Sequence, residues 1–204
     1  MFGAIIYKMN NMRVVLATSS KQRAEVLERT ALKFERVASN FDENLDINEY
    51  TFTEFVEKTA LGKVEDVRQK LKDDFHPPDL IIGCDTMVCF ENKMFGKPKN
   101  NFHAVEMIRS LTSSNKPHQV YTGIALMYQG AIVSFTEITK VYMKNLSEEE
   151  ILAYVETGEP VGKAGAYAIQ GLAGSFVDKV EGDYNNVIGL PLCRLTTELK
   201  KILL

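Results

Sequence analysis

Cysteine and histidine are scarce in this sequence, three of each, and neither sign of charge dominates, the formal net charge being -3. The cysteines are Cys84, Cys89 and Cys193. Their number is odd, Cys84 and Cys89 would face opposite ways on one strand, and no C-x-x-C spacing occurs, so neither a disulfide framework nor a cysteine metal site fits. Reduced, buried thiols in an intracellular protein are expected. His76, His103 and His118 show no catalytic spacing and read as structural or surface residues. The charge balance gives no sign of a bulk nucleic-acid binder. No apolar run approaches the ~20 residues of a membrane span. The opening MFGAIIYKMNNM has too short an apolar core and no basic flank for a signal peptide, so the cytoplasm is the expected compartment. Residues 1–11 read as an N-terminal extension, disordered or strand-like, on a single domain spanning 1–204. There is no G-x-S-x-G elbow for acyl transfer and no P-loop.

What is present is a folded soluble composition, 45% hydrophobic and 25% charged. Apolar periodicity alternates between strand and helix. Strands are expected at Met12 to Ala17, Lys33 to Ala38, Asp79 to Phe90, Gly165 to Gln170 and Ser175 to Val180. A hairpin is expected from Gln119 to Met143, turning at Gln129-Gly130. Helices are expected from Lys21 to Leu32 (capping box Ser19 and Gln22), from Phe52 to Leu71, from an Asn101 cap, after Ser147, and from Leu192 to Leu204. The fold class is α/β, a mixed twisted sheet flanked by helices.

Asp85 lies inside the apolar run DLIIGCDTMVCF. An isolated ionised carboxylate there costs several kcal/mol or more. It is a surface residue at the strand's end, a structural partner of a lysine, or a cleft residue holding a metal or a water. Thr18, Ser19 and Ser20 fall between a strand and a helix start, where hydroxyls and free N–H groups can take an anion and Arg23 can add charge; they can equally just cap the helix. Lys97 sits on a Gly-Lys-Pro loop, Lys63 on the long helix and Glu43 in the polar, acidic segment Asn40 to Asn48. Gln170 ends the glycine-rich run GEPVGKAGAYAIQG, and an amide can read the edge of a base.

Together these pieces resemble the Maf family of nucleoside triphosphate pyrophosphatases. Four segments carry the likeness in order from Leu16 to Leu192: LATSSKQRAEVL, IIGCDTMVCFENKMFGKP, HQVYTGIAL and GEPVGKAGAYAIQGLAGSFVDKVEGDYNNVIGLPL. Ser20, Arg23, Asp85, Thr86, Lys97, Lys163 and Gln170 match family positions, while Thr18 replaces a serine, Gln22 an arginine and Gly162 an aspartate. The resemblance implies two lobes around a central cleft, as in inosine triphosphatase-like folds. It implies hydrolysis of a nucleoside triphosphate to the monophosphate and pyrophosphate by water attack at the α-phosphorus, with Mg²⁺ or Mn²⁺. Asp85 would be the catalytic acid, sharing the metal with Glu43. Thr18, Ser20, Arg23, Lys63 and Lys97 would hold the triphosphate. Gln22, Thr86 and Gln170 mark the base-selecting positions of the dTTP/UTP branch, with modified nucleotides as a second, house-cleaning substrate class. A homodimer is implied. The rival reading is a non-catalytic nucleotide-binding regulator linked to cell division, which Gln22 and Gly162 favour.

Overall fold

The computed structural model describes residues 3–204. Seven strands and seven α-helices alternate among them: α1 (Gly3–Met9), β1 (Val14–Ala17), α2 (Lys21–Glu28), β2 (Glu35–Val37), α3 (Phe52–Lys70), β3 (Leu80–Phe90), β4 (Lys93–Phe95), α4 (Asn101–Thr112), β5 (His118–Tyr128), β6 (Ala131–Met143), α5 (Glu148–Glu156), β7 (Val177–Glu181), α6 (Tyr184–Ile188) and α7 (Leu192–Leu203). The sheet order is β2-β1-β3-β5-β6-β7, with β4 paired to β3. β1 runs parallel to both β2 and β3, its Ala17 opposite Val37 and Gly83. All four of its side chains are buried, which is why it reads as a continuous apolar run. β3 and β4, and β6 and β7, pair antiparallel. The expected hairpin turn is present, with Gln129 and Gly130 at φ 50° and 83°. A second one joins β3 to β4 through Glu91 and Asn92, at φ 48° and 61°. Successive positive φ values of this kind match the right-handed twist of the flanking strands. The mixed α/β architecture expected from the periodicity is therefore the observed one.

The chain divides into two compact units, each described by itself. The first holds residues up to Asp85, Thr122–Glu137 and Gly189–Leu204. Its core packs Ala60, Val64 and Val67 of α3 on Val15 and Ala17 of β1, Ile81 of β3 and Ala125 and Met127 of β5. α3 starts at a full capping box, Thr51 with Glu54, which fixes its first turn. From Gly3 on, the N-terminal segment is neither disordered nor a strand but a helix, residues 1 and 2 lying outside the described residues. α1 buries Ile5 and Met9 completely, and the Lys8 ammonium bonds the Leu203 carbonyl at the end of α7. α2 stops at Glu28 rather than near Leu32, because the Thr30 hydroxyl takes the Leu27 carbonyl at 2.6 Å and Ala31 turns left-handed.

The second unit holds Thr86–Tyr121 and Ile138–Ile188. Its core gathers Val105, Ile108 and Leu111 of α4, Ile151 and Val155 of α5, and Val88, Val120 and Val141 of the strands. α4 is capped by Asn100, one residue before the expected Asn101, and α5 by the expected Ser147–Glu150 box. Cys84 and Cys89 are buried and reduced as expected, but Cys193 is exposed. Among the described residues no helix is long and apolar enough to cross a membrane.

His118 is the polar exception in the second core. It is 1% exposed, its Nε2 meets the Tyr167 hydroxyl at 2.8 Å, and its Nδ1 has no hydrogen-bond partner. Burial holds the imidazole neutral, its pKa down from 6.5 to about 3. Below pH 6.5 the unfolded chain takes a proton that the folded chain refuses, so stability falls as pH drops through that window. The slope approaches about 1.4 kcal/mol per pH unit. Paired carboxylates such as Glu35 (held low by its hydrogen bond with Arg13) and Glu198 (by that with Lys201) add their loss only below their ordinary value of 4.5. Thermal melts between pH 7 and 5 should therefore show a fall in Tm that His118→Asn flattens. An unchanged slope in that variant would put the effect elsewhere.

Candidate active site

β3 brings Gly83, Cys84 and Asp85 in succession to the end of the first unit. An aspartate 8% exposed in so apolar a strand needs a compensating charge. α3 supplies it because glycines let the helix close on the sheet. A Cβ at Gly83 would stand 2.4 Å from the Ala60 carbonyl oxygen, and one at Gly123 of β5 2.4 Å from the Val56 carbonyl. With α3 at backbone distance from both strands, the Lys63 ammonium donates to Asp85 Oδ1 at 2.7 Å and lies 3.5 Å from the Cys84 carbonyl oxygen. It also pairs with Glu43 at 2.9 Å. Lys63 is as buried as Asp85, while half of the Glu43 side chain meets solvent.

Glu43 reaches this point because residues 38–43 run along α3. Lys70 donates to the Ala38 carbonyl at 3.0 Å, and Asp66 accepts the Asn40 N–H at 2.9 Å. The Phe41 ring lies where a Cβ of residue 62 would be, 2.4 Å from it. Positions 70, 66 and 62 are four apart, one stripe of a helix. The polar segment expected to be a loop is thus an anchored strap, closed by a short 3-10 turn at Ile47–Glu49.

The start of α2 belongs to the same unit. Ala17 is the register partner of Gly83, so the chain leaves β1 level with the part of β3 that carries Asp85. The carboxyl ends of parallel strands are the usual ligand side of such sheets. Ser20, not Ser19, is the helix cap; it accepts the Arg23 N–H at 3.3 Å. The Thr18 hydroxyl accepts the Ser20 N–H at 3.1 Å and an Arg23 guanidinium N–H at 3.5 Å. Arg23 Nε donates to the Gly189 carbonyl at 2.9 Å. The Ser20 hydroxyl lies 3.1 Å from Gln22 Oε1, to which it donates. Behind these groups, burial pushes the Cys84 thiol up to about 11, against the pull of Arg23 and Lys63. Cys84 is therefore no nucleophile.

Seven of the expected site residues, Thr18, Ser20, Gln22, Arg23, Glu43, Lys63 and Asp85, lie in the first unit. Thr86, Lys97 and Gln170 lie in the second. Thr86 follows Asp85 on β3, and Lys97 is exposed on the loop after β4. That loop is tied by the Gly165 N–H to the Gly96 carbonyl at 3.0 Å. The strand expected from Gly165 to Gln170 is absent. Gly165 and Ala166 take φ 68° and 61°, which breaks an extended backbone, and a 3-10 turn spans Ala164–Ala166. Gln170 sits exposed in the following turn. Among the described residues no group of three or more His, Cys, Asp or Glu side chains could hold a metal. The two carboxylates of Asp85 and Glu43 do converge, on one ammonium. Gly83, Gly123 and Phe41 were not singled out from the sequence. A glycine inside a strand was the available signal, since it weakens the strand unless another backbone must come close.

The sequence pattern of one protein family, described as Maf-like protein, matches residues 13–202. A dTTP/UTP pyrophosphatase of Clostridium novyi is 42% identical over 186 residues, covering 90% of this chain and 94% of the relative. Proteins of the same description from Clostridium beijerinckii and a Geobacillus species are each 40% identical, covering 94% and 93% of this chain and 100% and 98% of theirs. Among solved structures, the Staphylococcus aureus Ham1 protein superposes with a TM-score of 0.51 over 93% of this chain and 99% of that one, at 12% identity, a likeness of fold.

The closeness of α3 to β3 is open to test. Gly83→Ala must push the helix away from a backbone oxygen, at a cost of about 1–3 kcal/mol. Tm should drop by roughly 3–10 °C, and a melt matching the parent would mean that α3 is not seated against β3.

Proposed function

The chain belongs to the Maf family, and on that premise we propose that it hydrolyses nucleoside triphosphates, dTTP or UTP, to the monophosphate and pyrophosphate. The observation that carries the reading is the buried Lys63 ammonium held between Asp85 and Glu43, in a strand segment level with the start of α2. Residues 1–204 act as one functional domain, in the cytoplasm and as a homodimer, without nucleic acid or membrane.

In this reading Asp85 orients a water and accepts its proton during in-line attack at the α-phosphorus. The Asp85 and Glu43 carboxylates suit a hard divalent cation, which binds through one or two carboxylates and keeps waters and phosphate oxygens as its other ligands. When bound, Mg²⁺ or Mn²⁺ would offset phosphate charge and polarise the phosphoryl oxygen. The chain's own contribution to charge is cationic and directional. Arg23, Lys63 and Lys97 attract the phosphates, and the Thr18 and Ser20 hydroxyls with the first N–H groups of α2 can bond to their oxygens. The Ser20 and Thr18 contacts hold Arg23 and the helix start in place beforehand, so little reorganisation is left for the reaction itself. Positioning and electrostatics carry displacements of this kind. The base-selecting roles go to Thr86, Gln170 and Gln22, the last an amide that cannot supply an arginine's charge or rigid donor fork.

Purified protein with Mg²⁺ or Mn²⁺ and a panel of nucleoside triphosphates should release pyrophosphate, not phosphate, and do so best from dTTP or UTP. Binding without product would favour a regulator instead. Asp85→Asn should lower kcat by about 100-fold or more while the far-UV circular dichroism stays that of the parent; an undiminished rate removes Asp85 from the chemistry. Gln22→Arg should raise turnover of dTTP or UTP, and equal rates in the two proteins would deny Gln22 a substrate role.

A further inference from the structure

Glu159 follows α5, at the start of the glycine-rich run, and lies wholly within the second unit. Its carboxylate accepts three hydrogen bonds. Oε1 takes the Tyr154 hydroxyl at 3.0 Å and the Ala173 N–H at 3.0 Å; Oε2 takes the Leu172 N–H at 2.8 Å. Leu172 and Ala173 open the short helical turn Leu172–Ser175, whose first N–H groups have no partner further back in the turn. Its cap residue, Gly171, has no side chain to offer. Glu159 does the capping from thirteen residues earlier in the chain. Gly171 also makes room for it, since a Cβ there would stand 2.2 Å from Oε2.

The carboxylate is itself held. Burial, and then the Glu159 charge, keep the Tyr154 phenol protonated above its usual range, so its hydroxyl remains the donor. The Tyr154 ring packs edge-on against Phe176, 5.0 Å between centroids, at the far end of the same turn. Directly before Gly171 comes Gln170, exposed in a turn closed by the Gly171 N–H to the Ala168 carbonyl at 2.9 Å. Both ends of this turn are therefore fixed while its side chain is left free to reach outward.

We infer that Glu159 is a positioning residue for Gln170, clamping the turn from which that amide reads the base and so setting how tightly the nucleotide is held. The inference rests on the base-reading role proposed for Gln170. An amide carries both a donor and an acceptor. Uracil and thymine present an acceptor at O4 where cytosine presents a donor at N4. The amide can turn over about its last side-chain bond to meet either, and a fixed backbone does not prevent that; what the clamp fixes is where the amide stands against the base edge.

The test is steady-state hydrolysis of UTP, dTTP and CTP by the full chain, its Glu159→Ala, Glu159→Gln and Gln170→Ala variants, and the Glu159→Ala/Gln170→Ala pair. Glu159→Ala should raise KM for UTP and dTTP by about tenfold, with kcat changed by less than about threefold. Glu159→Gln, which keeps one carbonyl oxygen for the two N–H groups, should recover part of the loss. The paired variant should match Gln170→Ala alone, because Glu159 acts through that side chain. Amide hydrogen exchange at Leu172 and Ala173 should quicken in Glu159→Ala. Unchanged KM in Glu159→Ala, or additive losses in the pair, overturn this role while leaving the reaction standing. A wild-type protein that releases no pyrophosphate from any of the three nucleotides overturns the reaction, and this role with it.

Discussion

One ammonium shared by two carboxylates governs the arrangement of the first unit. Asp85 lies where water barely reaches, and an uncompensated carboxylate there would undo much of what a domain's marginal stability allows. Lys63 answers it at 2.7 Å, and Glu43 answers the remaining field of Lys63 at 2.9 Å from the wetter side. The cluster carries a net charge of one unit negative. Such a cluster tolerates burial far better than a lone carboxylate would.

Everything that brings these three side chains together is backbone geometry. Gly83 and Gly123 let α3 approach two strands, and Gly62 lets the Phe41 ring settle on the helix. Removing a methyl group at three positions thus has a consequence several bonds away, at polar atoms none of those glycines touches. The second unit shows the converse device. There Glu159 reaches across thirteen residues to bond main-chain N–H groups, and glycine again clears the space.

Periodicity made most of the elements legible. The four-residue spacing of α3, the unbroken apolar runs of β1 and β3 and the Gln129-Gly130 turn all follow from local rules that the packing did not override. The run through Gln170 misled because a short apolar run reads as a buried strand, whereas left-handed Gly165 and Ala166 are set by contacts that no window reveals; a Cβ at Gly165 would meet Val88 at 2.9 Å. The N-terminal helix was missed for the same reason: Ile5 and Met9 find their burial far along the sequence, near α7. At the site, the need of Asp85 for a partner could be read from one strand alone. Which partner could not, since three readings survived until α3 was placed against β3.

The strap from Ala38 to Glu43 is held mainly through main-chain atoms: a carbonyl at position 38, an N–H at position 40, and a ring at position 41. Natural drift can therefore rewrite the residues at 38 and 40 without loosening it. It cannot change their number. Inserting or deleting one residue would slide Glu43 by about 3.3 Å, past the reach of the ammonium, so the strap constrains a count more strictly than a composition.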